Sequence, residues 1–161
     1  MAYATMKQAL GTALVAAGER DGNVVVLDAD LQRVTETEAF MKRFPKRHFN
    51  LGIAEANMVG VALGIALSGK TVFCGTFACF ATQRVADQAA IMAHCEANVK
   101  IIGMEAALSA GSNGATHQGM LDLAIEGSLV AVRRKLPLKS RADQKFLRWY
   151  QKEFLKELGG A

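Results

Sequence analysis

Apolar residues along the chain fall into two rhythms that take turns. In ATMKQALGTALVAAGERD, Met6, Leu10, Leu14 and Val15 recur at helical spacing and the segment stops at Asp21-Gly22, which predicts a first helix. NVVVLDAD follows as a continuous apolar run. A run without polar alternation marks a strand covered on both faces, as in a parallel sheet, and here it carries Asp28 and Asp30 at its carboxyl end. The pattern then repeats: a helical stretch near Glu36 to Arg43, an extended piece at Arg47 to Asn50, a helix in AEANMVGVALGIALS, and a strand over 71–75. A helix over 80–96, a strand over 98–104, the glycine-rich loop ALSAGSNGATHQ and a helix GMLDLAIE complete the series. Strands alternating with helices predict an α/β fold with an open, mostly parallel sheet and helices on both faces, a design that binds ligands at the carboxyl ends of its strands. In the third helix, Met58, Val61, Leu63, Ile65 and Leu67 read as core. Gly60 and Gly64 read as points of close approach to a neighbouring element.

Beyond residue 127 the character changes. A strand-like SLVAVRR precedes Pro137, and RADQKFLRWYQKEFLKEL then sets Phe146, Tyr150, Phe154 and Leu158 four apart between basic residues, the mark of an amphipathic helix. We therefore read 1–127 as one α/β domain and 128–161 as a basic amphipathic tail. Charge sharpens the division. The net charge of +4 combines a balance of −2 in the first 127 residues with +6 in the rest. A lone helix of the tail's length is marginal in water, so it is expected to dock on the α/β core or on a second copy. Apolar residues at 51% and charged residues at 21% exclude a disordered or collagen-like chain. Three cysteines without a CxxC pair, and no signal-like segment after Met1, point to the reducing cytoplasm. The longest apolar run is broken at Ser68-Gly69-Lys70, too early for a membrane span.

The polar residues Asp30, Asn50, Glu55, Thr76 and the cluster from Asn113 to Gln118 all fall at strand ends or in the loops that follow, where they would line one crevice. Each alone has an ordinary structural reading: Asp30 as a turn residue, Glu55 as a first-turn acid favoured by the helix dipole, His117 as a surface histidine.

The string RHFNLGIAEANMVGVALGIALSGKTVFCGTFACFATQRVADQ, with LDADL before it and GSNGATHQ after it, resembles the pyrimidine-binding domain of the transketolase family over residues 1 to 125. It is most similar to the separately encoded C-terminal sections of split bacterial transketolases. The resemblance implies a thiamin-diphosphate-binding fold in which Glu55, in GIAE, bonds the N1′ of the cofactor's aminopyrimidine and activates it. Ile53 of the same motif is placed with the cofactor-binding residues. Phe77 and Phe80, in GTFACF, pack on the pyrimidine ring, and Asp30 lies near the cofactor. His117, in GATHQ, faces the sugar and joins Glu55 as catalytic, while Asn113 stands where many relatives have an aspartate contacting a substrate hydroxyl. The chain also departs from the family pattern: GSNGATHQ replaces GPDGATHQ, Glu105 replaces a histidine, and the third aromatic position of the pyrimidine pocket falls on Gln83.

A GDG motif, which holds Mg²⁺ for the cofactor diphosphate in this superfamily, does not occur in the sequence, and the tail aligns with no family segment. The expectation is a transferase component that moves two-carbon ketol units between sugar phosphates with thiamine diphosphate. Mg²⁺ would be held by a partner chain, a diphosphate-binding subunit or a second copy, so the chain should be inactive alone and oligomeric when active. The alternative is a non-catalytic, truncated transketolase-like module whose tail docks another protein. Nucleic acid is disfavoured as a partner, because a charge run on an amphipathic helix is ordinarily its solvated face.

Overall fold

The computed structural model describes residues 5–125, so the predicted tail strand and amphipathic helix lie outside the described residues. Helix α1 (Met6–Arg20) is closed at its start by a capping box: the Thr5 side chain accepts from the Gln8 amide, and the Gln8 side chain accepts from the Thr5 amide. β1 (Val24–Asp28), α2 (Glu38–Arg43) and β2 (His48–Asn50) follow, the last after a 3-10 turn at Pro45–Arg47. Then come α3 (Glu55–Leu67), β3 (Thr71–Phe77), a π-turn at Phe80–Arg84, α4 (Ala86–His94) and β4 (Val99–Met104). Two 3-10 segments, Leu108–Asn113 and Ala115–His117, fold the glycine-rich loop, and residues 122–125 are helical within the predicted segment GMLDLAIE.

All strand pairs are parallel, in the order β2-β1-β3-β4. The chain leaves β1 toward β2 and leaves β3 toward β4. The direction therefore reverses between β1 and β3, and that reversal opens a crevice at their carboxyl ends. Alternate residues of the strands feed two cores. Val24, Val26 and Phe73 meet Leu10 and Leu14 of α1, Phe40 of α2 and Phe44 just after it on one face. Leu27, Val72 and Cys74 meet Met58, Val59, Ala62 of α3 and Val85, Ala89 around α4 on the other. Every residue of β1 is buried, as its unbroken apolar run required.

Arg47 locks the amino-terminal edge. Its guanidinium stacks 4.0 Å from the Phe44 ring centroid and donates to the carbonyls of Gly18, Asp21 and Val24, tying the end of α1 to β1. Among the described residues no helix is long and apolar enough to cross a membrane.

Several expectations need correction. Among the described residues nothing packs against Gly60 or Gly64, where an added Cβ would meet no atom within 4 Å, and Leu67 is 62% exposed rather than core. The buried face of α3 is Glu55, Met58, Val59, Ala62 and Ala66; Val61, Leu63 and Ile65 are half-buried at its flanks. The helix predicted over 80–96 is divided at Val85, where the π-turn gives way to α4. β3 runs on to Phe77, so Thr76 is a buried strand residue whose hydroxyl has no hydrogen-bond partner among the described residues, and it does not line the crevice.

Candidate functional site

Two buried carboxylates stand at the carboxyl end of the sheet. Asp28 ends β1 and is saturated from within: it accepts from the Leu31 amide, from Thr35 Oγ1 at 2.5 Å and from Thr37 Oγ1 at 2.9 Å. Gly75, beside it on β3, permits that arrangement, because a Cβ there would lie 3.0 Å from Thr35 Cγ2 and push the threonine loop away.

Glu55 is the first residue of α3, at the positive end of the helix dipole, and is only 3% exposed. Its Oε2 accepts from Arg84 Nη1 at 3.0 Å. The Arg84 guanidinium lies 4.0 Å from the centroid of the Phe80 ring. Phe80 in turn meets Phe77 edge to face, with centroids 5.9 Å apart, and His117 packs against both rings at 5.2 Å. The structure thus brings Glu55, Phe77, Phe80 and His117 into one continuous cluster. Cys79, between the two phenylalanines in sequence, is buried with Sγ 3.8 Å from the Thr116 carbonyl, and burial pushes its thiol pKa up, which keeps it a packing group.

Asp30 and Asn50 form a second group at the ends of β1 and β2. Asn50 Nδ2 donates to Asp30 Oδ1 at 2.9 Å, and Asn50 Oδ1 accepts from the amides of Asp30 at 3.0 Å and Gly52 at 2.9 Å. Asp30 takes a φ of +65°, strained for a residue with a side chain and held by this ring of bonds. The short connection from Asn50 to Glu55 links the two groups and leaves Ile53 at its tip, 77% exposed. Asn113 is exposed at the end of its 3-10 segment, four residues ahead of His117. Glu105, at φ +55°, is bonded by Lys7 of α1.

Arg84 is the residue that sequence reasoning missed. Gln83, read as the third wall of the pocket, is exposed, and the π-turn carries Arg84 onto Phe80 and Glu55 instead. The available signal was an arginine four residues after a phenylalanine, a spacing at which helical side chains meet. A carboxylate at a helix start beside an aromatic face suits a planar, nitrogen-bearing heterocycle. Among the described residues no three metal-ligating side chains converge.

The family model described as the pyrimidine-binding domain of transketolase matches residues 2–131. A transketolase C-terminal section from Methanocaldococcus jannaschii is 43% identical over 124 residues, which cover 76% of this chain and 39% of that protein. A 6-deoxy-6-sulfo-D-fructose transketolase subunit from Clostridium is 41% identical, covering 66% and 34%. A solved split-gene transketolase, an inactive β4 tetramer, is 44% identical, with a TM-score of 0.61 over 73% of this chain and 37% of that one. Transketolase from Pichia stipitis, 20% identical, shares the fold with a TM-score of 0.71 over 80% of this chain and 21% of that one. The chain therefore spans less than half the length of these relatives. It belongs to the transketolase pyrimidine-binding domain family.

Proposed function

We propose that this member of the transketolase pyrimidine-binding family supplies the pyrimidine half of a thiamine diphosphate site, and transfers two-carbon ketol units between sugar phosphates once a partner chain completes that site. The observation that carries this reading is the buried Glu55 at the start of α3, linked through Arg84 to the Phe77–Phe80–His117 cluster that follows β3. Bound thiamine diphosphate would supply the nucleophilic carbon that attacks the ketose.

The chain's own residues bind and orient. Glu55 holds a shared proton against the ring nitrogen, and its burial keeps water from competing for that bond. Phe77 and Phe80 present ring surface to the pyrimidine and Ile53 covers it from the loop before α3. The Asp30–Asn50 ring fixes a carboxylate at the neighbouring strand ends. His117 and Asn113, on the glycine-rich loop, face the sugar, with His117 positioned for proton transfer. Mg²⁺ and the diphosphate fall to the partner, a diphosphate-binding subunit. That the similar split-gene transketolase is inactive as a β4 tetramer supports the view that such a section needs its counterpart. The three free thiols, Cys74, Cys79 and Cys95, suit work in a reducing cytoplasm.

The test is reconstitution. The purified chain with thiamine diphosphate and Mg²⁺ should not turn over ketose donors, and addition of the diphosphate-binding section of a split transketolase should produce turnover. Activity of the chain alone would overturn the half-site reading, and failure of every such section to produce activity would overturn the assignment to ketol transfer.

A further inference from the structure

Among the described residues, the hydrogen-bond partner of the Glu55 carboxylate has the chemical form of the ligand proposed for it. A guanidinium is planar, delocalised and rich in N–H donors, and stacks readily on aromatic faces. Arg84 donates to the Glu55 carboxylate at 3.0 Å and lies 4.0 Å from the centroid of Phe80, so one flat group takes both the acid and the aromatic ring that an aminopyrimidine would use. We infer that Arg84 stands in for the aminopyrimidine in the cofactor-free chain, holding Glu55 and the Phe80 face until the ring displaces it. This inference rests on the pyrimidine-site reading above.

Glu55 explains why a stand-in is needed. A carboxylate 3% exposed and stripped of its charged partner would be a buried, uncompensated charge, which proteins tolerate poorly. Arg84 explains why the stand-in can leave. Its side chain is 50% exposed and no other hydrogen bond among the described residues holds it, so the guanidinium can swing into solvent without breaking a second contact network. Arg47 provides the contrast within the same fold: it stacks on Phe44 at the same distance but is fastened to three carbonyls. Arg84 is thus a positioning residue that gates the pocket. The state it closes lowers apparent affinity by the fraction of molecules it occupies.

The full chain should be titrated calorimetrically with the hydroxymethyl-aminopyrimidine moiety of thiamin, and melted without ligand. Removing the competitor in Arg84→Gln should tighten binding of this fragment by about threefold or more, while lowering the Tm of the unliganded chain. Adding Glu55→Gln should restore much of that Tm, because a neutral amide needs no cation. Should Arg84→Gln fail to fold, Arg84→Met, which keeps a long side chain against Phe80 but offers Glu55 no donor, makes the same comparison. Unchanged or weaker binding by a folded variant would overturn the inference and make Arg84 a fixed wall. If the wild type itself did not bind the fragment, the pyrimidine site would fail and the stand-in with it.

Discussion

Asp28 and Glu55 are both buried acids at the same end of the sheet, but their surroundings differ in kind. Asp28 receives a backbone amide and two threonine hydroxyls, all supplied within nine residues of itself, and both threonines are buried with it. Glu55 receives one half-exposed guanidinium from 29 residues away. A carboxylate saturated by rigid local donors serves as scaffold, since exchanging any of them for a ligand would leave a buried polar group unpaired. A carboxylate held by one half-exposed donor can exchange it. Burial alone would have ranked the two acids together; the source and exposure of their partners separate them.

The largest effect that would test this contrast is on catalysis. In the reconstituted enzyme Glu55→Gln should lower kcat by about 10² to 10⁴, with the urea midpoint of the chain nearly unchanged; equal exchange rates of the cofactor's C2 proton in wild type and variant would remove Glu55 as the activator. Asp28→Ala should do the reverse, costing about 3 kcal/mol or more in urea unfolding because Thr35, Thr37 and the Leu31 amide lose a charged acceptor. A loss below about 1 kcal/mol would erase the distinction between the two acids.

A smaller effect concerns the segment that presents the aromatic cluster. A Cβ on Gly103 of β4 would come within 2.9 Å of Ala78 Cα, which is backbone and cannot swing aside. Gly103→Ala should therefore cost about 1 to 3 kcal/mol and displace the Phe77–Phe80 pair, visible as weaker binding of the pyrimidine fragment. An unchanged midpoint would show that the segment yields freely.

The smallest effect is in pH. Burial lowers the pKa of His48 from its ordinary value of about 6.5, partly opposed by the nearby charge of Asp28. The unfolded chain then takes up this proton more readily than the folded one. Stability from His48 is fully present above pH about 6.5 and is lost as pH falls through the lowered folded value. His48→Asn should flatten that part of a stability profile; an unaltered slope would assign it elsewhere.

Much of the framework was legible from residue order. The apolar run of β1, the helical spacing of α1 and the alternation of strand and helix are local consequences of burial on a parallel sheet, and each appears where the pattern predicted it. The placement of Glu55 at a helix start after an extended piece was legible for the same reason. Resemblance also drew attention to Phe77, Phe80 and His117, which the structure brings into contact; it drew attention equally to Asn113 and Ile53, which stand exposed.

Periodicity misread the third helix because it reports spacing and not what lies opposite. Gly60 and Gly64 recur on one face, and only the tertiary structure shows that no described residue packs against them. The sequence by itself determined which segments become strands and helices, since backbone propensity and apolar rhythm act over a few residues. Tertiary structure alone decided that Arg84 rather than Gln83 meets Glu55, and that two threonines saturate Asp28. Those contacts depend on the widened turn at Phe80–Arg84, on the register of β1 against β3 and on the space left by Gly75, which the spacing of Arg84 after Phe80 hints at but does not determine.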